Sequence, residues 1–253
     1  MNANTAVGFW RAAGTALWLV GTTAGAAAFD INDPEVELGL RRFEAIHIVQ
    51  AGFPTGSTGN TRHLQTLSYY YGLTSIWQVK GTVFLEQADD ERDYRATLGS
   101  LENTFELRNL TKHGFGLAWF TGFTGAIDAA ETNSVTFGPI LKVATGPLVW
   151  TFNPFLDQTF GRNHEHGIAF AYGWQVGKEI KDGVTLSLAG FGRIPDIGDP
   201  PPMAEQEHKI GPLLTLEHKL DEKRSLSFEV GAFVGLTDAT PDAAGKAKIT
   251  YQY

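Results

Sequence analysis

The chain has 253 residues, 28 acidic against 20 basic side chains for a formal charge of −8, and no cysteine. A net-acidic chain argues against nucleic-acid binding, which needs clustered Lys and Arg against phosphate. Absence of cysteine is compatible with an oxidising compartment without requiring one. A mean hydropathy of −0.13 implies no helical membrane protein, whereas 29 glycines and 12% aromatic residues suit turns and aromatic-rich strands.

Residues 1–28 read as a secretory signal peptide. Arg11 supplies the positive region, Ala12 to Val20 a short apolar core, and Ala26-Ala27-Ala28 a small-residue cleavage site before Phe29. The core is too short for a spanning helix and Gly21 and Gly25 interrupt its far end. No cysteine follows it, so no lipoprotein anchor is expected. One domain is then expected over residues 29–253. Past the leader no stretch reaches the ~18 consecutive apolar residues of a transmembrane helix. A membrane location would therefore require a closed barrel, the other fold that satisfies every backbone group in hydrocarbon.

The stretch Phe29 to Leu40 has no clear period and reads as a periplasmic lead-in. A first strand fits Arg42 to Ala51, but its alternation is poor: Phe43, Ala45, His47 and Val49 face one way while Ile46 and Ile48 face the other. A long Gly- and Pro-containing loop, Gly52 to Arg62, follows. From there the period-two pattern is regular. Leu67, Tyr69, Tyr71 and Leu73 share a face. After a short turn Trp77, Val79, Val83 and Leu85 oppose Gln78, Lys80, Thr82 and Glu86. Beyond the acidic loop Gln87 to Asp93, Leu101, Phe105 and Leu107 oppose Ser100, Glu102, Thr104, Glu106 and Arg108. A short turn at residues 110–114 precedes Phe115, Leu117, Trp119, Thr121 and Phe123, set against Gly116, Ala118, Phe120 and Gly122. Loop 126–133 leads to Val135, Phe137, Pro139, Leu141 and Val143 against Thr136, Gly138, Ile140 and Lys142. A tight turn at residues 145–147 leads on to Leu148, Trp150, Phe152, Pro154 and Leu156. Loop 157–165, the alternation Ile168 to Val176 and the turn Lys181-Asp182-Gly183 come next. Val184, Leu186 and Leu188 then oppose Thr185, Ser187, Ala189 and Arg193. After the longest late loop, residues 195–206, Ile210, Leu214, Leu216 and Leu220 oppose Lys209, Thr215, Glu217 and Lys219. Turn 221–224 precedes Leu226, Phe228, Val230, Ala232, Val234 and Leu236 against Ser227, Glu229, Gly231 and Gly235. Loop 238–245 precedes the last strand, Lys246 to Tyr253, where Ala247, Ile249, Tyr251 and Tyr253 alternate with Lys246, Lys248, Thr250 and Gln252.

About twelve strands result, an even number, with long polar connections after the odd strands and mostly tight turns after the even ones. A membrane barrel with both ends in the periplasm has this asymmetry. A soluble sandwich has no reason for it. The fold class expected is all-β, an antiparallel up-and-down transmembrane barrel. The apolar face would meet lipid, with Trp77, Trp150, Trp174, Tyr251 and Tyr253 in interfacial girdles. The small, polar face would line the lumen and carry Lys80, Glu86, Glu102, Glu106, Arg108, Lys142, Arg193, Lys209, Glu217 and Glu229.

The leader, the strand pattern and the ending Ile249-Thr-Tyr-Gln-Tyr253 resemble those of bacterial outer-membrane β-barrels, whose assembly machinery reads a final strand with a terminal aromatic. The stretches Glu207 to Leu214 and Gly235 to Asp238 are similar to poorly characterised porin-like transporters. The resemblance implies an outer-membrane location, contact with outer-membrane lipid and lipopolysaccharide, and recognition by the barrel-assembly machinery through Ile249, Tyr251 and Tyr253.

Some outer-membrane barrels are lipid hydrolases, which need a His base beside a Ser nucleophile. None of His47, His63, His113, His164, His166, His208 and His218 sits in such a local pattern, and G-x-S-x-G is absent. His164 and His166 would share a side of an extended segment, a weak metal signal that fits a solvated loop better. Asp89, Asp90, Glu91 and Asp93 could attract divalent cations but more commonly make a soluble loop. The expectation is a monomeric channel passing small solutes by diffusion, with no catalytic residue, cofactor or metal. The inward charges would set its selectivity. The alternatives are a closed barrel acting through its external loops and a lipid-modifying enzyme.

Overall fold

The computed structural model describes residues 30–52, 61–88 and 93–253. Twelve strands run in order: β1 (Arg41–Ala51), β2 (Thr61–Gly72), β3 (Trp77–Ala88), β4 (Arg95–Arg108), β5 (Phe115–Ala126), β6 (Asn133–Thr145), β7 (Leu148–Phe160), β8 (Ala169–Lys181), β9 (Val184–Ile194), β10 (Glu207–Lys219), β11 (Ser225–Gly235) and β12 (Ala243–Gln252). Each pairs with its sequence neighbours and β1 pairs with β12, so the sheet closes into an all-β, antiparallel up-and-down barrel. One helical turn, α1 (Leu110–His113), sits in the β4–β5 connection and is capped by the Asn109 side chain, which accepts the Thr111 N–H. Among the described residues no helix is long and apolar enough to cross a membrane. Residues 1–28, most of the loop after β1 and the acidic residues 89–91 lie outside the described residues.

The closure seam is fully paired, from Arg42 opposite Gln252 to Ala51 opposite Ala243. Arg41 and Tyr253 exchange both backbone hydrogen bonds, at 3.1 and 2.9 Å, and so extend the ladder to the last residue. The weak alternation of β1 has a physical cause. Ile46 and Ile48 point inward and are buried with Leu64, Phe84, Leu98, Phe191, Leu213 and Phe233, so both faces of that strand carry apolar side chains. The polar-inside pattern fails where the lumen itself is packed.

The outward face is a continuous apolar surface. Leu67, Tyr69, Leu101, Phe123, Leu186, Val230 and Ile249 are all exposed, far beyond the scattered apolar residues of a soluble surface. Most of the expected aromatic residues gather at the end that bears the even-numbered turns. Trp77 stacks on Phe105, Tyr251 stacks on Tyr253, and the Trp150 indole N–H donates to Thr145. Trp174 instead lies in mid-strand, where its ring covers Gly190. Two-residue turns at Gly146-Pro147 and Asp182-Gly183 join β6 to β7 and β8 to β9. Their glycines take φ of 59° and 69°, as tight hairpins require. The β9–β10 connection, residues 195–206, is by contrast long enough to hold a 3-10 turn at Met203–Glu205. The β4–β5 connection carries α1 and so departs from the simple long-and-short rule.

Candidate functional site

The lumen gathers the charges that alternation turns inward. Lys80 of β3 pairs with Glu102 of β4 at 3.4 Å, and its ammonium lies 5.1 Å from the centre of the Tyr70 ring. The Tyr70 hydroxyl donates to buried Glu44 at 2.9 Å. Lys246 and Lys248 of β12 face Glu229 of β11 at 2.8 and 3.9 Å. Arg193 of β9 lies between Asp157 at 3.7 Å and Glu165 at 2.8 Å, and Thr136 donates to the same Asp157 at 2.6 Å. The low dielectric of such a space makes pairing necessary, since a single unpaired charge there is expensive.

The lead-in expected to be periplasmic is part of this site. Residues 30–40 enter from the rim beside Gly72, where Gly39 N–H donates to the Gly72 carbonyl at 2.8 Å. They then climb inside the barrel. Val36 N–H donates to Glu106. Asp33 and Glu35 both meet Lys142 of β6, at 2.6 and 3.4 Å. Pro34 is buried against Gly116 of β5. Asn32 and Asn153 of β7 exchange two hydrogen bonds, at 2.7 and 3.1 Å. Ile31 packs on the apolar cluster. Asp30, the first described residue, lies between Lys246 at 3.2 Å and Lys248 at 2.8 Å. Beside Asp30 and Asn32 lies a cavity of about 70 Å³, walled by Ser68, Thr82, Glu102, Thr136, Asn153 and Asp157. That is room for a few waters.

Nine of the ten lumen residues expected from the sequence lie on the inward side of their strands: Lys80, Glu86, Glu102, Glu106, Lys142, Arg193, Lys209, Glu217 and Glu229. Their depth differs. Lys209 is buried beside Phe191. Glu86 faces Arg95 toward the end of the barrel opposite the strap's entry. Glu217 is exposed at the rim beside Gly183. Arg108 is the exception. The register shifts between Glu106 and Arg108, which turns Arg108 to the outer surface, over the Phe115 ring at 5.3 Å. A bulge of this kind reverses facing and leaves little trace in an alternating pattern. The sequence reading missed Asp30, Asn32, Glu44, Tyr70, Asn153 and Asp157 as lumen groups. The signal for the first two was the polar, period-less Asp30-Ile-Asn-Asp33 set against the inward lysines of the last strand.

Three of the histidines have partners in the structure. His208 accepts or donates with Tyr172 at 2.7 Å and with Gln206 at 3.1 Å. His164 and His166 make an edge contact at 5.4 Å, and His164 Nδ1 lies 3.0 Å from the Gly161 carbonyl. Among the described residues no group of three His, Asp or Glu is arranged to hold a metal ion.

Comparison of the sequence with protein-family models and with curated proteins found no match. Comparison of the structure with solved ones found outer-membrane channels. An outer membrane channel from Pseudomonas putida F1 superposes with a TM-score of 0.60 at 11% identity, covering 88% of this chain and 98% of that one. The NanC porin gives 0.56 at 9%, covering 83% and 98%. The KdgM porin in complex with disordered oligogalacturonate gives 0.51 at 11%, covering 84% and 98%. At these identities the likeness is one of fold: the chain has the barrel of outer-membrane porins.

Proposed function

We propose that this chain is an outer-membrane channel for the passive passage of small solutes. The observation that carries the reading is the inward ladder of charge, Lys80–Glu102, Lys246–Glu229, Lys142–Asp33 and Arg193–Asp157, inside a barrel whose outer face is apolar. A structural barrel needs no such ladder, because an apolar filling of equal volume is often as stable or more so. A pore needs charged walls to select what it passes. The fold shared with porins supports the same reading, as does the expected secretory leader over residues 1–28. Outer-membrane lipid and lipopolysaccharide would then surround a monomer, and Ile249, Tyr251 and Tyr253 would meet the assembly machinery.

A second reading, a closed barrel that works through its external loops, is favoured by one observation: the strap lies in the lumen, and the cavity beside its Asp30 and Asn32 is only about 70 Å³. Single-channel recording in planar bilayers separates the two. Discrete conductance steps from a heat-modifiable, folded protein are expected. A folded protein silent at all applied voltages would sink the channel reading. Lipase and deacylase assays with His208→Ala test the enzymatic alternative, for which hydrolysis lost in that variant would be needed.

A further inference from the structure

We propose that residues 30–36 are a resident gate that closes the pore by occupying the lysine sites on which a passing anion would dwell. The inference rests on the channel reading and adds its resting state and its preferred solute class.

The strap is bound as a ligand is bound. Its three carboxylates take three lysines of the wall, Asp30 on Lys246 and Lys248, Asp33 and Glu35 on Lys142. Between these ends its backbone is read by one wall amide, Asn153, from both its N–H and its carbonyl. The wall is shaped for it. A Cβ on Gly116 would stand 2.9 Å from Pro34 Cγ, and one on Gly173 would stand 2.8 Å from Ile31 Cδ1. A side chain at either position would crowd the segment unless the Pro34 ring or the Ile31 side chain gave way.

None of these contacts belongs to the sheet. The β1–β12 ladder begins at Arg41, so the strap can leave while every strand stays paired. Its lower carboxylates are wet, Asp33 and Glu35 at 44% and 41% side-chain exposure, while Pro34 between them is buried and Asp30, farther in, is 11% exposed. The segment is thus poised to peel from the rim upward. Departure would open the small cavity beside Asn32, walled by Ser68, Thr82 and Thr136, to the periplasmic mouth. It would also take the strap's carboxylates from Lys142, Lys246 and Lys248, leaving Glu229 beside the last two and Glu44 beside Lys248. The solute class follows from the occupant: an extended molecule carrying several carboxylates, which can replace the strap contact for contact. Competition of this kind makes opening depend on the anion, by mass action.

Two variants of the full chain test it in planar bilayers. In the first, Pro34→Cys with Gly116→Cys places two thiols within disulfide reach in a protein that has no other cysteine. The oxidised form should be silent and reductant should restore openings in the same sample. In the second, Asp30→Asn, Asp33→Asn and Glu35→Gln should raise the open probability on the order of tenfold or more and move the reversal potential in a KCl gradient toward chloride. Citrate on the periplasmic side should increase openings of the wild type and leave the triple variant unchanged.

Oxidised cysteine-pair channels that conduct like reduced ones would overturn the gate while leaving the channel reading intact. A triple variant with unchanged reversal potential, or a wild type indifferent to citrate, would overturn the anion assignment. If the oxidised, reduced and triple-variant proteins are all folded and all silent, the channel reading fails and the gate fails with it. Should the triple variant not fold, the redox pair still decides, because it compares two states of one folded barrel.

Discussion

The lumen has two unlike walls. The wall of β11, β12, β1, β2 and β3 presents Glu229, Lys246, Lys248, Glu44, Tyr70 and Lys80, and it holds Asp30 by charge. The wall of β5, β6 and β7 presents Gly116, Ala118, Phe120, Gly138, Ile140 and Phe155. It holds the strap by close approach and by one amide, with Lys142 as its only contribution of charge to the strap. Their outward faces are the same apolar alternation. The lipid constrains only what it touches, so the inward faces were free to diverge. One became a binding surface for carboxylates and the other a bed for a backbone. The strap needs both, because the wall that holds Asp30 by charge and receives Ile31 in its apolar cluster offers nothing to Pro34, which packs on Gly116 of the other.

The largest effect is expected on the charged wall. The Lys246 side chain is 1% exposed and is shared by Asp30 and Glu229. Lys246→Ala removes one of the two cations these carboxylates share and leaves them in a dry space with Lys248 alone, a change that costs up to about 3–5 kcal/mol. Urea unfolding of the barrel in lipid vesicles reads it. A loss under about 1 kcal/mol would mean that water reaches this wall freely and that the contrast between the walls is overstated.

The packed wall breaks differently. Gly138 has the Pro154 carbonyl and Phe155 Cδ1, the latter at 2.9 Å, where a Cβ would go. The carbonyl is backbone and cannot rotate away, so Gly138→Ala should destabilise by about 1–3 kcal/mol, the usual cost of overpacking. Gly81, on the outward face of β3, has open space at its Cβ position. Gly81→Ala should be neutral or slightly stabilising, by about 0.5 kcal/mol. The same unfolding measurement on the two variants separates the close-packed lumen wall from the open outer surface, and equal losses would contradict a wall built on contact.

This difference also explains what could be read in the sequence. Twelve strands, their order and their closure were legible because lipid imposes a period of two on the outward face, and β2 to β12 obey it except at the register shifts of β4 and β8. The inward positions of Lys80, Glu102 and Lys142 followed from the same period. The strap was not legible. Asp30-Ile-Asn-Asp33 has no period, and its meaning lies in partners such as Lys246 and Lys248, which stand 216 and 218 residues away. Nor could alternation reveal that Ile46 and Ile48 pack inside, or that a bulge turns Arg108 outward, because both depend on a neighbouring strand's register. What lipid dictates shows in one chain's pattern, and what the lumen dictates shows only when the strands are side by side.

A smaller effect tests the joint between the strap and the packed wall. Asn153→Ala removes both hydrogen bonds to Asn32. The loss should be about 1 kcal/mol, since each bond is only partly buried and water can replace the missing amide. Double substitution with Asp30→Asn should be additive if the walls hold the strap independently. An excess over the sum, beyond about 0.5 kcal/mol, would show that they act as one clamp.

The smallest effect belongs to the rim, where neither wall's chemistry is present. In the β10–β11 turn Asp221 accepts the backbone N–H groups of Lys223 and Arg224 at 2.9 and 2.8 Å, and the Arg224 side chain at 2.6 Å. These hydrogen bonds, the Lys223 N–H first, hold the Asp221 carboxyl below its ordinary value. A depressed folded pKa gives stability that is present above the unfolded carboxylate value and lost as pH falls through the folded one. Asp221→Asn should therefore differ from the wild type at neutral pH and converge with it in acid. The gap should stay small, because the turn is solvated and its ion pair is screened. Unfolding curves in vesicles at neutral and acid pH, with and without added salt, measure this directly. A gap as large as that of Lys246→Ala would place the stability of this barrel in its turns rather than in its lumen, and the contrast between the two walls would lose its energetic basis.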